Sequence, residues 1–285
     1  MPELFSSMPS SPQIHVQYLA PGHELITPEQ FHASNPENLG VNLAKTSPKI
    51  AVKWGHHVSL IEAKNMLYVA ENTSIPVPRL YAAYAYGPID RSLDDHATFY
   101  DVYIFVEFIE GEDLGKSWDK HTSTEKQAIS ADLKKYMDEL RSLPPANYIG
   151  SVDEGPVIDN MLEWSTSCRG PFKSIEDFNA TIIEAFITKS KPQIGPYARG
   201  MLNAHKHGIV FTHGDLRPDN IIVKDGRVAA IIDWELSGWY PEYWELAKAF
   251  YIEWFVNDWG SHLLGVLEPY YCEQLMHARL MEVLW

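Results

Sequence analysis

Two rhythms of apolar and polar residues run along this chain. From 49 to 55, KIAVKWG has the short β-branched character of a strand ended by Gly55. SLIEAKNMLYVAEN (59–72) then changes to helical spacing. Leu60, Ala63, Met66, Leu67 and Ala70 share one face, and Ser59 with Glu62 makes a capping-box pattern. TSIPVPRLY must be extended, because Pro76 and Pro78 bar a helix. ATFYDVYIFVEFIEG (97–111) reads as a long strand running into a turn at Gly111. The first 45 or so residues, rich in Ser, Pro, Asn and His, show neither rhythm and predict partly irregular structure.

Helical spacing dominates downstream. TSTEKQAISADLKKYMDELRSL (122–143) opens on a Thr122–Glu125 capping box and is stopped by Pro144-Pro145. Weaker helices are predicted over 174–189 and 196–207, and further ones over 241–256 and 260–284. Between them IIVKDGRVAAIID places Asp225-Gly226 between two β-branched runs, a strong signal for a two-residue hairpin turn. The pattern predicts an α+β protein with a strand-rich N-terminal lobe, 1–108, and a larger helical lobe, 109–285, that carries one hairpin.

Composition narrows the classes of function. With 285 residues, 45% hydrophobic and 21% charged, the chain reads as an ordinary soluble protein with ample material for a core. No apolar run approaches a membrane span, and the N-terminus lacks the features of a secretory signal. Cys168 and Cys272 are isolated and lack metal-ligand spacing, so neither a disulfide framework nor a zinc site is expected, and the expected location is cytoplasmic. A formal charge of −15 argues against a nucleic-acid partner and is compatible with attracting a cationic small molecule.

The chemistry gathers around FTHGDLRPDNIIVKDGRVAAIIDWE (211–235). A tight Asp225-Gly226 turn sets Lys224 opposite Arg227 and, counting outward, Asn220 opposite Ile231. Alternation then puts Asp233 on the Asn220 face, with diagonal backbone neighbours roughly 7–8 Å apart. A carboxylate and an amide oxygen could thus converge on one hard cation, for which Mg2+ is the natural choice. Asp215 lies five residues before Asn220, the spacing by which kinase loops set a base aspartate before a metal-binding asparagine. Arg217, two beyond Asp215, is placed to act as a fixed cation at a transferred phosphoryl group.

HGDLRPDN followed by IIDWE resembles the aminoglycoside phosphotransferase and choline kinase-like enzymes, with SIPVPRLYAAY, FTHGDLRPDN and GWYPEYWE closest to fungal members. The resemblance covers roughly residues 40–255. It implies a two-lobed protein-kinase-like fold with ATP and Mg2+ between the lobes, Asp215 as catalytic base, and Asn220 and Asp233 as metal ligands. By the same likeness Lys53 holds the ATP phosphates and pairs with Glu62, while Glu107, Phe108 and Ile109 in VEFIEG form the adenine hinge. The chain departs from kinases in its phosphate loop, where NPENLGVNLAKTSPK has only Gly40.

The reading is an ATP- and Mg2+-dependent phosphotransferase acting on a small-molecule hydroxyl. A protein kinase ranks low, because only seven residues separate Asp233 from Pro241, with no Ala-Pro-Glu anchor. A nucleotide-binding protein without catalysis is the other alternative. In WELSGWYPEYWELAKAFYIEW, Trp239, Tyr240, Tyr243 and Trp244 read more simply as packing than as a cage for an amine. Neither acceptor identity nor oligomeric state is written in the sequence.

Overall fold

The computed structural model describes residues 11–93, 98–159, 162, 168–190, 192–250 and 257–284. The predicted strand start at 97 and the 251–256 end of the 241–256 helix lie outside them. The chain divides into two compact units, Met1–Leu67 with Pro78–Ile109, and Tyr68–Val77 with Glu110–Trp285.

The first unit is built on a six-stranded antiparallel sheet. Its strands are β1 (Gln13–Leu19), β2 (Glu37–Gly40), β3 (Leu43–Ser47), β4 (Ile50–Gly55), β5 (Leu80–Gly87) and β6 (Asp101–Glu107), in the order β1-β5-β6-β4-β3-β2. Among the described residues it is accompanied by α1 (Pro28–Ala33) and by α2 (Leu60–Asn72) as far as Leu67. Side chains of β6 alternate between two apolar clusters. Tyr103 and Phe105 join Phe31 of α1, while Val102 and Ile104 join Ala63 of α2. Both faces of the sheet are therefore covered, which is why β6 reads as a nearly continuous apolar run.

Over residues 11–45 the structure is more regular than expected. α1 has a full capping box, Thr27 with Gln30, and β1 gains its hydrogen bonds from β5, some seventy residues away. The β1 sequence QIHVQYL is mostly exposed, so the apolar pattern that marks a strand is missing.

The second unit opens with β7 (Glu112–Asp113) and α3 (Leu114–Ser117), followed by α4 (Ser123–Arg141) behind its predicted Thr122–Glu125 capping box. Helices α5 (Ile175–Lys189) and α6 (Gly195–Leu202) follow. Then come β8 (Ile209–Thr212), β9 (Ile221–Lys224), β10 (Arg227–Ile231) and β11 (Gly238–Pro241). α7 (Trp244–Ala249), α8 (Trp259–Val266) and α9 (Tyr271–Leu284) complete the unit. The predicted single helix over 260–284 is instead two, parted around Pro269. Besides the β9–β10 hairpin, which β7 extends to three strands, β8 and β11 form a second small sheet. The core packs Phe178, Ile182 and Phe186 of α5 against Tyr240, Tyr243, Trp244 and Leu280. Among the described residues, no helix is long and apolar enough to cross a membrane.

The hairpin turn forms as its chemistry requires, with positive φ at both Asp225 (51°) and Gly226 (71°). Lys224 pairs with Arg227 and Val223 with Val228, but the register then slips, so that Ile222 meets Ala230 and Ile221 meets Ile231. Ala229 is the extra residue of a β-bulge. This corrects the expected pairing of Asn220 with Ile231. Asn220 instead lies across from Ile232, whose N–H donates to its carbonyl at 2.9 Å.

Candidate active site

The loop after β8 is fixed from several directions. Gly214 has φ +82°, and a Cβ there would meet the Leu236 carbonyl oxygen at 2.6 Å, so the sharp turn demands glycine. The N–H groups of His213 and Gly214 donate to the two carboxylate oxygens of Glu245, at 2.6 and 3.1 Å. Ser237 Oγ donates to the His213 carbonyl at 2.9 Å. The His213 ring is fully buried, and its Nδ1 accepts the Asp215 N–H at 3.2 Å. Its Nε2 must then carry the proton, which it donates to the Ile232 carbonyl at 3.0 Å. With both ring nitrogens occupied, His213 is a structural part of the loop, not a proton carrier.

This scaffold brings Asp215, Arg217 and Asn220 together. Asn220 closes the one-turn segment Pro218–Asn220 and is buried. Its Nδ2 donates to the Asp215 carbonyl at 2.9 Å and to Asp215 Oδ2 at 2.7 Å. Arg217 Nε lies 3.2 Å from the same Oδ2. The Asp215 carboxylate is thus held from two sides while remaining a quarter exposed. Asp219, in contrast, sits against Gly115 at the start of α3.

Asp233 follows β10 with a left-handed backbone, φ 64° and ψ 60°. Strand alternation does not govern a residue in that conformation, and the bulge has already moved the register. The convergence of Asn220 and Asp233 derived from an uninterrupted hairpin therefore does not hold as argued. Instead, the Asp233 turn brings its carboxylate within 4.8 Å of that of Glu235. Left-handed geometry at a non-glycine residue is uncommon and concentrates at functional positions.

In the first unit, Lys53 on β4 and Glu62 on α2 form an ion pair of 2.8 Å, with the Glu62 carboxylate buried. Ser59 Oγ accepts the Ile61 N–H at the same helix start. At the end of β6 the N–H groups of Glu107 and Phe108 donate to Arg79 and Lys49 carbonyls, each at 2.8 Å. Lys45 Nζ lies 3.7 Å from the Phe108 ring centroid, a cation–π contact. The glycine-poor segment forms the β2–β3 hairpin, with Val41 at its tip 94% exposed.

Glu245 escaped the sequence reading. It is 2% exposed and makes the two hydrogen bonds that set the loop, yet it lies about thirty residues from it. The available signal was a carboxylate inside the aromatic run YWELAKAF, which must be buried and therefore hydrogen-bonded. The neighbouring Trp239, Tyr240, Tyr243 and Trp244 are all buried, as expected for packing.

Comparison with solved structures gives the fold a precedent. The streptomycin–ATP–APH(2'')-IIa ternary complex matches with a TM-score of 0.53 at 13% identity, over 89% of this chain and 87% of that one. A candidate fructosamine-3-kinase from Haemophilus somnus 129PT matches with a TM-score of 0.52 at 13% identity, over 85% and 78%. At such identity the likeness is one of fold, the protein-kinase-like fold of the aminoglycoside phosphotransferases. A search of curated proteins gave no significant match. The family model described as the phosphotransferase enzyme family matches residues 55–282, most of the chain, and the protein belongs to that family.

Proposed function

We propose that this phosphotransferase uses ATP and Mg2+ to phosphorylate a hydroxyl group of a small molecule. The observation that carries the reading is the orientation of Asn220. Its two acceptors at Asp215 can only be served by the amide nitrogen, so the amide oxygen Oδ1 is directed elsewhere. Asp233 and Glu235 set two carboxylates within 4.8 Å of each other, and with the Asn220 amide oxygen they are the oxygen donor types that Mg2+ prefers. When bound, the ion would neutralise charge on the nucleotide phosphates.

The chain's own residues then divide the work. Asp215 accepts the proton of the acceptor hydroxyl, and its carboxylate is oriented for this by Asn220 and Arg217. Arg217 exchanges part of its contact with Asp215 for the transferred group. Lys53, held by Glu62, holds the nucleotide phosphates. Adenine is received by main-chain groups of Glu107, Phe108 and Ile109. As the Glu107 and Phe108 N–H groups are taken, Ile109 supplies the donor.

The short path from Asp233 to β11 favours a small acceptor over a peptide. The chain enters β11 at Gly238 and pairs at once with β8, which leaves no extended segment for docking a substrate protein. Choline-like amines, amino sugars and other metabolites are all candidate acceptors. Burial of the four aromatic residues removes them as an amine cage.

The test is acceptor-dependent ADP release in Mg-ATP across a metabolite library, comparing wild type with Asp215→Asn. Turnover with a particular alcohol, lost in the variant while nucleotide binding persists, supports the reading. Nucleotide binding with no turnover across the library would favour a protein that binds ATP without catalysis.

A further inference from the structure

The second unit carries a group of metal-ligating side chains separate from the Asp215 loop. Between α6 and β8 the chain reads His205-Lys206-His207, and the first turn of α9 contributes Glu273. His205 Nδ1 lies 2.7 Å from Glu273 Oε1, and His207 Nε2 lies 3.2 Å from the same oxygen. One ligand atom from each of the three residues lies within 4.8 Å of the other two. The side chains of His207 and Glu273 are 4% and 3% exposed, whereas His205 is 60% exposed. A solvated edge thus opens onto two buried ligands.

We propose that His205, His207 and Glu273 form a binding site for a zinc-like divalent cation. The donor set, two imidazole nitrogens and one carboxylate oxygen, suits zinc and its borderline neighbours better than magnesium or calcium, which take oxygen ligands. Donor atoms of a tetrahedral zinc site stand about 3.3 Å apart, given metal–ligand distances near 2.0–2.2 Å. The two separations from Glu273 Oε1, 2.7 and 3.2 Å, would widen by a few tenths of an ångström to admit the ion.

A second feature supports the assignment. Glu242 Oε2 lies 3.8 Å from the other ring nitrogen of His207, Nδ1, and receives the Tyr270 hydroxyl at 3.5 Å. Zinc-bound histidines commonly direct their second nitrogen to a carboxylate, which fixes the tautomer and leaves the lone pair on the ligating atom. With the proton on Nδ1, on the Glu242 side, Nε2 of His207 would exchange its contact with Glu273 Oε1 for the ion. Binding requires neutral imidazoles and an ionised carboxylate. The loop is fixed nearby, since the Glu242 N–H donates to the Gly208 carbonyl at 3.1 Å. A bound ion would fasten the start of α9 to the segment feeding β8.

The full-length protein, stripped with chelator, is titrated with zinc chloride by calorimetry in excess magnesium chloride and melted with and without zinc. The expected result is one zinc per chain at micromolar or tighter affinity, with a raised melting temperature. His205→Ala, at an exposed position, should melt like wild type without zinc and bind it at least about tenfold more weakly. Asp233→Asn should bind zinc as wild type does. Absence of stoichiometric uptake by wild type would overturn the proposal. So would equal titrations of wild type and His205→Ala, or uptake lost in Asp233→Asn but kept in His205→Ala. Should His205→Ala melt differently without zinc, Glu273→Gln, which keeps the shape of the ligand, takes its place with the same expected weakening.

Discussion

The Asn220 side chain is bound to Asp215 through its nitrogen, which serves both the main-chain and the side-chain oxygen of that aspartate. One residue thereby aims the proposed base and presents an oxygen of its own. Asn220→Ala removes both effects. Acceptor-dependent turnover should fall by about 100-fold or more, and residual activity should need more magnesium for half-saturation. Steady-state rates across a magnesium titration measure this, and unchanged kinetics would refute the arrangement.

The Lys53–Glu62 pair makes a second prediction. Glu62→Gln keeps the shape and removes the charge, and kcat/KM for ATP should fall about 10–100-fold, the worth of a hydrogen bond between charged groups. Lys53→Met should do the same, and the double variant should be little worse than either single one. Additive losses would mean that the two residues act separately.

Glu245 offers a test of the loop itself. In Glu245→Gln only one side-chain atom can accept, so one of the two buried N–H groups at His213 and Gly214 faces another donor. The cost should be about 1–3 kcal/mol of stability, together with a fall in kcat as the loop loses its aim. Thermal melts and turnover assays of the same preparation check both.

His277 predicts an acid sensitivity. Burial pushes its pKa down to about 3; nearby Lys248 adds to the effect and Asp159 opposes it. An unfolded histidine titrates near pH 6.5, so between these values the unfolded chain binds the extra proton. This contribution to stability is therefore full above about pH 6.5 and is lost as pH falls toward 3. By pH 5 the loss should be about 2 kcal/mol. Denaturant unfolding from pH 7 to 4.5 should show that added slope in wild type and not in His277→Gln. Parallel slopes would exclude it.

What could be read from the sequence was local. Asp225-Gly226 announced its turn because both residues tolerate positive φ, and Thr122 with Glu125 announced a helix start because they cap each other's amides. The bulge at Ala229 was invisible, since VAAI carries no residue that marks a change of register. β1 was missed because its partner β5 supplies the order while its own side chains stay largely in water. Pro269 did mark the break between α8 and α9, but the apolar spacing on either side ran on across it. In the candidate site, Asp215, Arg217 and Asn220 were legible from spacing within one loop. The Asp233 backbone and the Glu245 anchor depend on contacts made elsewhere in the chain.

The Glu245 anchor also orders events in time. A growing polypeptide would emerge with Asp215 well before α7 existed, and the His213 and Gly214 amides would have only water to meet. Until the ribosome had delivered some thirty further residues and that helix had docked, the nascent chain would hold Asp215 on a loop without the anchor that sets its turn.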